Sequence, residues 1–186
     1  MKIVVIGVDH TIQHLARAGA REDYVDNSQR EMYERLLRRK ISEHQPQFIG
    51  EETHTRYGVP IGKQVADSLR PPLPWANIDM PEEDRKKRGI SERLGKRSVN
   101  PKVGPKGVWL DTEDRVEGAD DEREEYWIAR TIEGATNANA PNALIICGEQ
   151  HVEELRKKLC RDGHVVITDC LRKYDWYWKN QLMKFE

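Results

Sequence analysis

Two unbroken apolar runs, Ile3-Val4-Val5-Ile6 and Leu144-Ile145-Ile146-Cys147, stop at the same pattern. The first enters Gly7-Val8-Asp9-His10 and the second enters Gly148-Glu149-Gln150-His151. Each reads as a buried β-strand followed by Gly-x-x-His. A third run, Gln47-Phe48-Ile49, enters Gly50-Glu51-Glu52-Thr53-His54. An α/β sheet carries its chemistry just beyond the carboxyl ends of its parallel strands. Here that edge would hold imidazoles and carboxylates, which suits a metal or acid–base site.

The intervening sequence supplies helices. Strands are expected at residues 2–6, 47–49, 75–79, 144–147 and 165–168, and helices at 10–20, 28–43, 61–69, 120–133 and 152–159. Ser28 with Glu31 three residues on makes a capping box. Met32, Leu36, Leu37 and Ile41 then form one apolar stripe. Pro71-Pro72 ends the helix before it. The order β-α-β-α-β-(insertion)-α-β-α-β predicts a three-layer α/β fold, a mostly parallel sheet with helices on both faces.

Residues 81–107 differ from their surroundings. Charges crowd Glu82-Glu83-Asp84-Arg85-Lys86-Lys87-Arg88, and Pro101, Gly104, Pro105 and Gly107 break regular structure. An exposed insertion or lid is expected, partly helical at 82–94 and then loop. The tail, residues 171–186, holds Tyr174, Trp176, Tyr177, Trp178 and Phe185. Such aromatics are expected to pack on the sheet or on a partner subunit.

At 186 residues the chain reads as a single domain, 1–186. The charged fraction of 34% fits charged helices plus one polar insertion, because the apolar residues still cluster in dense runs. A net charge of -1 gives no electrostatic argument for nucleic acid or an anionic membrane. No apolar stretch approaches the roughly 20 residues of a spanning helix, and the first strand is too short for a signal-peptide core. Cys147, Cys160 and Cys170 form no C-x-x-C, so reduced thiols and a cytoplasmic location are expected.

The expected strand ends offer Asp9, His10, Glu51, Glu52, His54, Asp79, Glu149, His151 and Asp169. Imidazole and carboxylate are the usual ligands of zinc, manganese, cobalt or iron. A bound divalent ion would lower the pKa of a water, and Glu51 would take its proton. A lone histidine after a strand is more often a helix cap or a surface residue. The doubled pattern, both times directly after an apolar run, is what argues for His10 and His151 sharing a site. Glu51 and Glu52 alternate along an extended chain, so only one of them can point into it.

Other readings are weaker. The second and third glycines of G-x-G-x-x-G are absent after Gly7, which argues against a dinucleotide. Cys147 beside His151 would be a nucleophile, but it lies within an apolar strand. On the helix at 120–133, Glu122, Arg123, Glu125 and Arg130 read either as a salt-laced surface or as an anion clamp. Arg123 and Arg130 share a face there with Trp127 between them.

In order along the chain, Gly7/His10, Phe48-Ile49-Gly50-Glu51-Glu52, Glu122-Arg123 with Tyr126 and Trp127, and Gly148/His151 resemble the TraB/TIKI superfamily. That superfamily also takes in ChaN-like and erythromycin-esterase-like proteins. The resemblance covers most of the chain through short, degenerate motifs. It implies an α/β core with a site at these motifs, and metal-dependent hydrolysis of the kind known for TIKI-type proteases, which not every branch shares. The compact chain, its insertion at 81–107 and the lack of a membrane segment depart from the pattern.

The expectation is therefore a hydrolase-like protein with a His/Glu strand-end site. His10, Glu51, Glu52, Arg123 and His151 are the candidate catalytic residues, with Arg123 on an anionic group. His10, Glu51 and His151 are the candidate ligands of a divalent metal (Mn, Zn, Co or Fe). The expected partner is a small-molecule or peptide ligand, with no nucleic acid and no membrane, and the tail offers a homo-oligomer contact. The alternatives are a non-catalytic small-ligand-binding or regulatory module on the same scaffold, and an assembly protein.

Overall fold

The computed structural model describes residues 1–13, 27–53, 58–96, 99–103, 109–113 and 115–182. Strand β1 (Lys2–Val8) leads into the short α1 (His10–Gln13), and α2 (Asn27–His44) precedes β2 (Phe48–Glu51). Helix α3 (Ile61–Ser68) and β3 (Trp75–Asn77) follow. Next come α4 (Glu82–Lys87), α5 (Ile90–Leu94), β4 (Val99–Val103) and β5 (Trp109–Glu113). The chain continues through α6 (Ala119–Asn137), β6 (Asn142–Gly148), α7 (Val152–Arg161), β7 (Val165–Cys170) and α8 (Asp175–Leu182).

The main sheet has the order β3-β2-β6-β1-β7 and every pairing in it is parallel. The α/β expectation is met. Side chains alternate across the sheet, as the two-residue period of a strand requires. Val4, Ile6, Leu144 and Ile146 join a core with Tyr33, Leu36 and Leu37 of α2 and Ile61 and Val65 of α3. Ile3, Val5, Ala143, Ile145 and Cys147 face the other way, onto Trp127 and Ile128 of α6 and Leu155 and Leu159 of α7. Continuous apolar runs are what a parallel strand covered on both faces needs. β1 and β6 lie side by side in register, with Gly7 opposite Cys147 and Val8 opposite Gly148, so their two exits open onto one stretch of the sheet edge.

The insertion is more ordered than its composition predicts. Helices α4 and α5 fall within the expected helical part, and Ile90 packs with Met80 and Ala119 in a small core of their own. The expected loop after residue 94 is corrected: β4 and β5 pair antiparallel, with Pro101 opposite Asp111. A two-stranded ribbon tolerates proline because each strand has an outward edge where no ladder N–H is needed. The described part of the tail packs on its own chain, with Tyr177 and Trp178 buried in the α2/α3 core, while Phe185 lies outside the described residues. Among the described residues no helix is long and apolar enough to cross a membrane. Cys147, Cys160 and Cys170 are free thiols.

Candidate functional site

Glu52 stands at the centre of the strand-end edge. Its backbone N–H still donates to Ile146 O at 2.8 Å, which fixes the residue just beyond β2. Its side chain is buried. Arg123 Nη2 donates to Oε1 at 2.7 Å and the Gly148 N–H donates to Oε2 at 2.8 Å. His10 Nε2 stands 3.8 Å from Oε2. Burial alone would raise this carboxyl. The cationic side chains of His10 and Arg123, with the Gly148 N–H, outweigh burial and hold it at about 2.

Glu51 goes elsewhere. Its Oε1 accepts from Gln13 Nε2 at 2.9 Å and its Oε2 from Trp75 Nε1 at 2.8 Å. The backbone N–H groups of Gly62 and Lys63, in the first turn of α3, donate to it as well. The carboxyl thus caps α3, where free N–H groups and the helix dipole favour an oxygen acceptor. Burial still dominates and pushes it up to about 7. The two adjacent glutamates are turned to different neighbours, and the one beside His10 is Glu52.

His10 is held from the far side of its ring. Gln13, one helical turn on, has its amide nitrogen committed to Glu51 and to Glu52 O at 2.7 Å. Its Oε1 therefore accepts, and His10 Nδ1, at 2.9 Å, must be the donor. The remaining Nε2 faces Glu52. Burial works against an imidazolium here, but Glu52, the Gln13 hydrogen bond and Asp9 prevail and raise the pKa above the ordinary 6.5. The imidazole keeps 42% of its surface exposed, so it forms the outer wall of the site.

His151 sits in a one-turn 3-10 helix directly after β6 and is completely buried. Its Nδ1 lies 2.8 Å from Glu124 Oε1 and its Nε2 has no hydrogen-bond partner among the described residues. The Trp127 ring meets it edge-on, centroids 4.8 Å apart. Gly148 lies between the two imidazoles. A Cβ placed there would come within 3.0 Å of His10 Nε2 and 3.4 Å of His151 Cδ2. The glycine of the second Gly-x-x-His is thus what lets both rings close on one corner.

Arg123 lies over the Trp127 ring at 4.7 Å and binds the chain's own carboxylates. Besides Glu52 it donates to Asp120 Oδ1 at 3.2 Å and stands 3.5 Å from Asp79 Oδ1. Its two terminal nitrogens are taken by the protein's own carboxylates, while its Nε has no partner among the described residues. Arg130, on the same helix, is exposed and pairs with Glu133. Arg85 of the insertion turns inward to Asp79 Oδ2 at 3.1 Å. Asp9, Glu149 and Asp169 lie toward the C-terminal segment, bound to Tyr177, Arg172 and Tyr174 respectively. The Cys147 side chain is packed in the α6/α7 core, and burial holds its thiol protonated. His54 lies outside the described residues.

The metal expectation depends on His10, Glu51 and His151 sharing one point. Glu51 is turned to α3, and the carboxylate that takes its place beside His10 already carries a guanidinium. Among the described residues no group of three or more His, Cys, Asp or Glu side chains is arranged to hold an ion.

Two residues of the site are absent from the sequence expectations: Gln13 and Glu124. Glu124 carries a detectable signal, since Asp120, Glu124, Trp127 and Thr131 recur at helical spacing and all are buried along α6. Comparison of the chain with protein-family models, with curated proteins and with solved structures finds no match.

Proposed function

We propose that this chain is a hydrolase-like protein that uses paired imidazoles at the sheet edge, acting on a small-molecule or peptide ligand. The observation that carries the reading is the buried Nε2 of His151, without a hydrogen-bond partner among the described residues, in a ring whose Cδ2 lines the same Gly148 corner as His10 Nε2. A buried polar atom without a partner is costly to keep and points to a functional use. A water entering the corner gives a proton to His151 Nε2 as its oxygen attacks the scissile carbonyl. His10, charged beside Glu52, gives its Nε2 proton to the leaving group. Proton transfer back from His151 to His10 through water restores both rings. No step runs through a metal.

A panel of chromogenic esters, amides and peptides tests this. Replacing either His10 or His151 by alanine is expected to lower kcat/KM for the hydrolysed probe by about 10²–10⁴-fold. The rate is expected to fall as pH rises through the His10 pKa, above 6.5. Dialysis against a chelator is expected to leave the rate unchanged. Full activity in both alanine variants rejects the assignment. A loss on chelation that Mn²⁺ or Zn²⁺ repairs replaces the metal-free scheme with a metal-assisted one.

The second reading is a non-catalytic ligand-binding module. The mutual pairing of Glu52 with Arg123 and the complete burial of His151 favour it, because both strengthen the scaffold without any chemistry. A probe that shifts the His10 and His151 NMR signals without turnover supports this reading over the first.

A further inference from the structure

Glu124 is the buried carboxylate that the hydrolytic scheme leaves without a role, and its surroundings are unusually directive. Its Oε1 faces His151 Nδ1 at 2.8 Å. Its Oε2 accepts from Lys158 Nζ at 2.8 Å and from Arg115 Nη2 at 3.0 Å, and Arg115 Nε donates to Oε1 at 3.4 Å. Asp121 joins the same two cations: Lys158 Nζ donates to its Oδ1 at 2.9 Å, and Arg115 pairs with it as well. Ammonium and guanidinium groups donate and never accept. The Oε2 position must therefore be an oxygen, and with both oxygens unprotonated Oε1 can only accept. A histidine nitrogen opposite such an oxygen must carry the proton.

We propose that Glu124 is a positioning residue that, backed by Arg115 and Lys158, locks His151 in the tautomer protonated at Nδ1 and bare at Nε2. The inference rests on the hydrolytic reading for its purpose, since a general base needs its lone pair on the nitrogen that faces the reacting group. Its physical content is independent of any activity. Gln13 likewise fixes the Nδ1 proton of His10, whose Nε2, the nitrogen that gains and loses the transferred proton, faces Glu52. Two different devices, an amide with its nitrogen committed and a carboxylate flanked by cations, thus fix the Nδ1 protons of two rings that meet at the Gly148 corner.

The lock predicts what an isosteric change does. In Glu124→Gln the amide has one oxygen and one NH2, and the two shorter bonds from Lys158 and Arg115 Nη2 draw the oxygen to the Oε2 position over the 3.4 Å bond from Arg115 Nε at Oε1. The NH2 then faces His151 Nδ1 and forces its proton to Nε2. A wrong tautomer of this kind, with geometry intact, costs about 10⁴-fold in kcat in the Ser-His-Asp enzymes.

The experiment is ¹⁵N NMR of the histidine rings in the full-length protein, with hydrolysis measured alongside. The wild type is expected to show His151 protonated at Nδ1 with a bare Nε2. E124Q is expected to show the reverse, with kcat lower by 10²-fold or more and KM little changed. Glu124→Asp, which keeps the charge, is expected to retain the Nδ1–H form. A wild-type His151 protonated at Nε2 overturns the proposal outright, whether or not E124Q folds. An E124Q protein whose His151 keeps its Nδ1 proton overturns it too. If the wild type hydrolyses nothing, the hydrolytic reading fails while the tautomer measurement still decides the lock.

Discussion

Glu51 and Glu52 are neighbours in sequence with opposite electrostatic fates, and a glycine separates those fates. Glu51 reaches the first turn of α3 only because Gly62 has no side chain: a Cβ there would lie 2.4 Å from Glu51 Oε2. Two effects compete in Gly62→Ala. Helix propensity alone gains about 1 kcal/mol. Driving a methyl group into a buried, fully engaged carboxyl costs about 1–3 kcal/mol. The carboxyl has little room to yield, because Gln13 and Trp75 hold it from the other side. Gly62→Ala is therefore expected to lower the urea midpoint, and a raised midpoint would mean the contact is slack. Sequence alternation shows that only one of these glutamates can enter the site, but not which. That choice depends on where residues 60–63 arrive in space, which no local pattern around residue 51 records.

Helix α6 is the element that most changes the reading of the site. Its polar residues look like a solvated charged face, yet Asp120, Arg123 and Glu124 are buried along with Trp127 and Thr131. Its N-terminal turn is fixed by its own acids: Val116 N–H donates to Asp120 at 2.8 Å and Gly118 N–H to Asp121 at 3.0 Å. Arg123 then serves as the internal counter-ion for Glu52, Asp79 and Asp120. Removing one partner of a buried ionic cluster leaves the others uncompensated, at about 3–5 kcal/mol. Arg123→Met is expected to lose that much in denaturant unfolding, and a loss below about 1 kcal/mol would show that solvent reaches the cluster. The helix itself was legible from its spacing. Its buried polar face was not, because periodicity marks apolar stripes and treats charge as surface. The hairpin of β4 and β5 was hidden for a related reason: Pro101 and the flanking glycines read as loop.

Across the whole molecule, the strand order and both apolar layers follow from runs and periods, while the site follows from where helices return to the sheet edge. The titration of that edge sets an expected pH profile for stability. With a net charge of -1, general repulsion contributes little near neutrality. Glu52 is held at about 2 in the fold, against 4.5 when free. Its contribution is present above pH 4.5 and lost as pH falls toward 2. Glu51 runs the other way, raised to about 7. Between pH 4.5 and 7 the folded protein holds a proton that the unfolded chain has released, so stability declines as pH rises, by up to about 3 kcal/mol. His10, also raised, loses its contribution as pH rises through its folded pKa. The three slopes place maximum stability near pH 5 rather than near 7. Urea unfolding at pH 4, 5, 6, 7 and 8 checks this. Glu51→Gln cannot ionise, so whatever its baseline, its decline from pH 5 to 8 is expected to be shallower than that of the wild type. Parallel declines in the two proteins would show that Glu51 is already ionised at pH 5, with its four donors outweighing its burial.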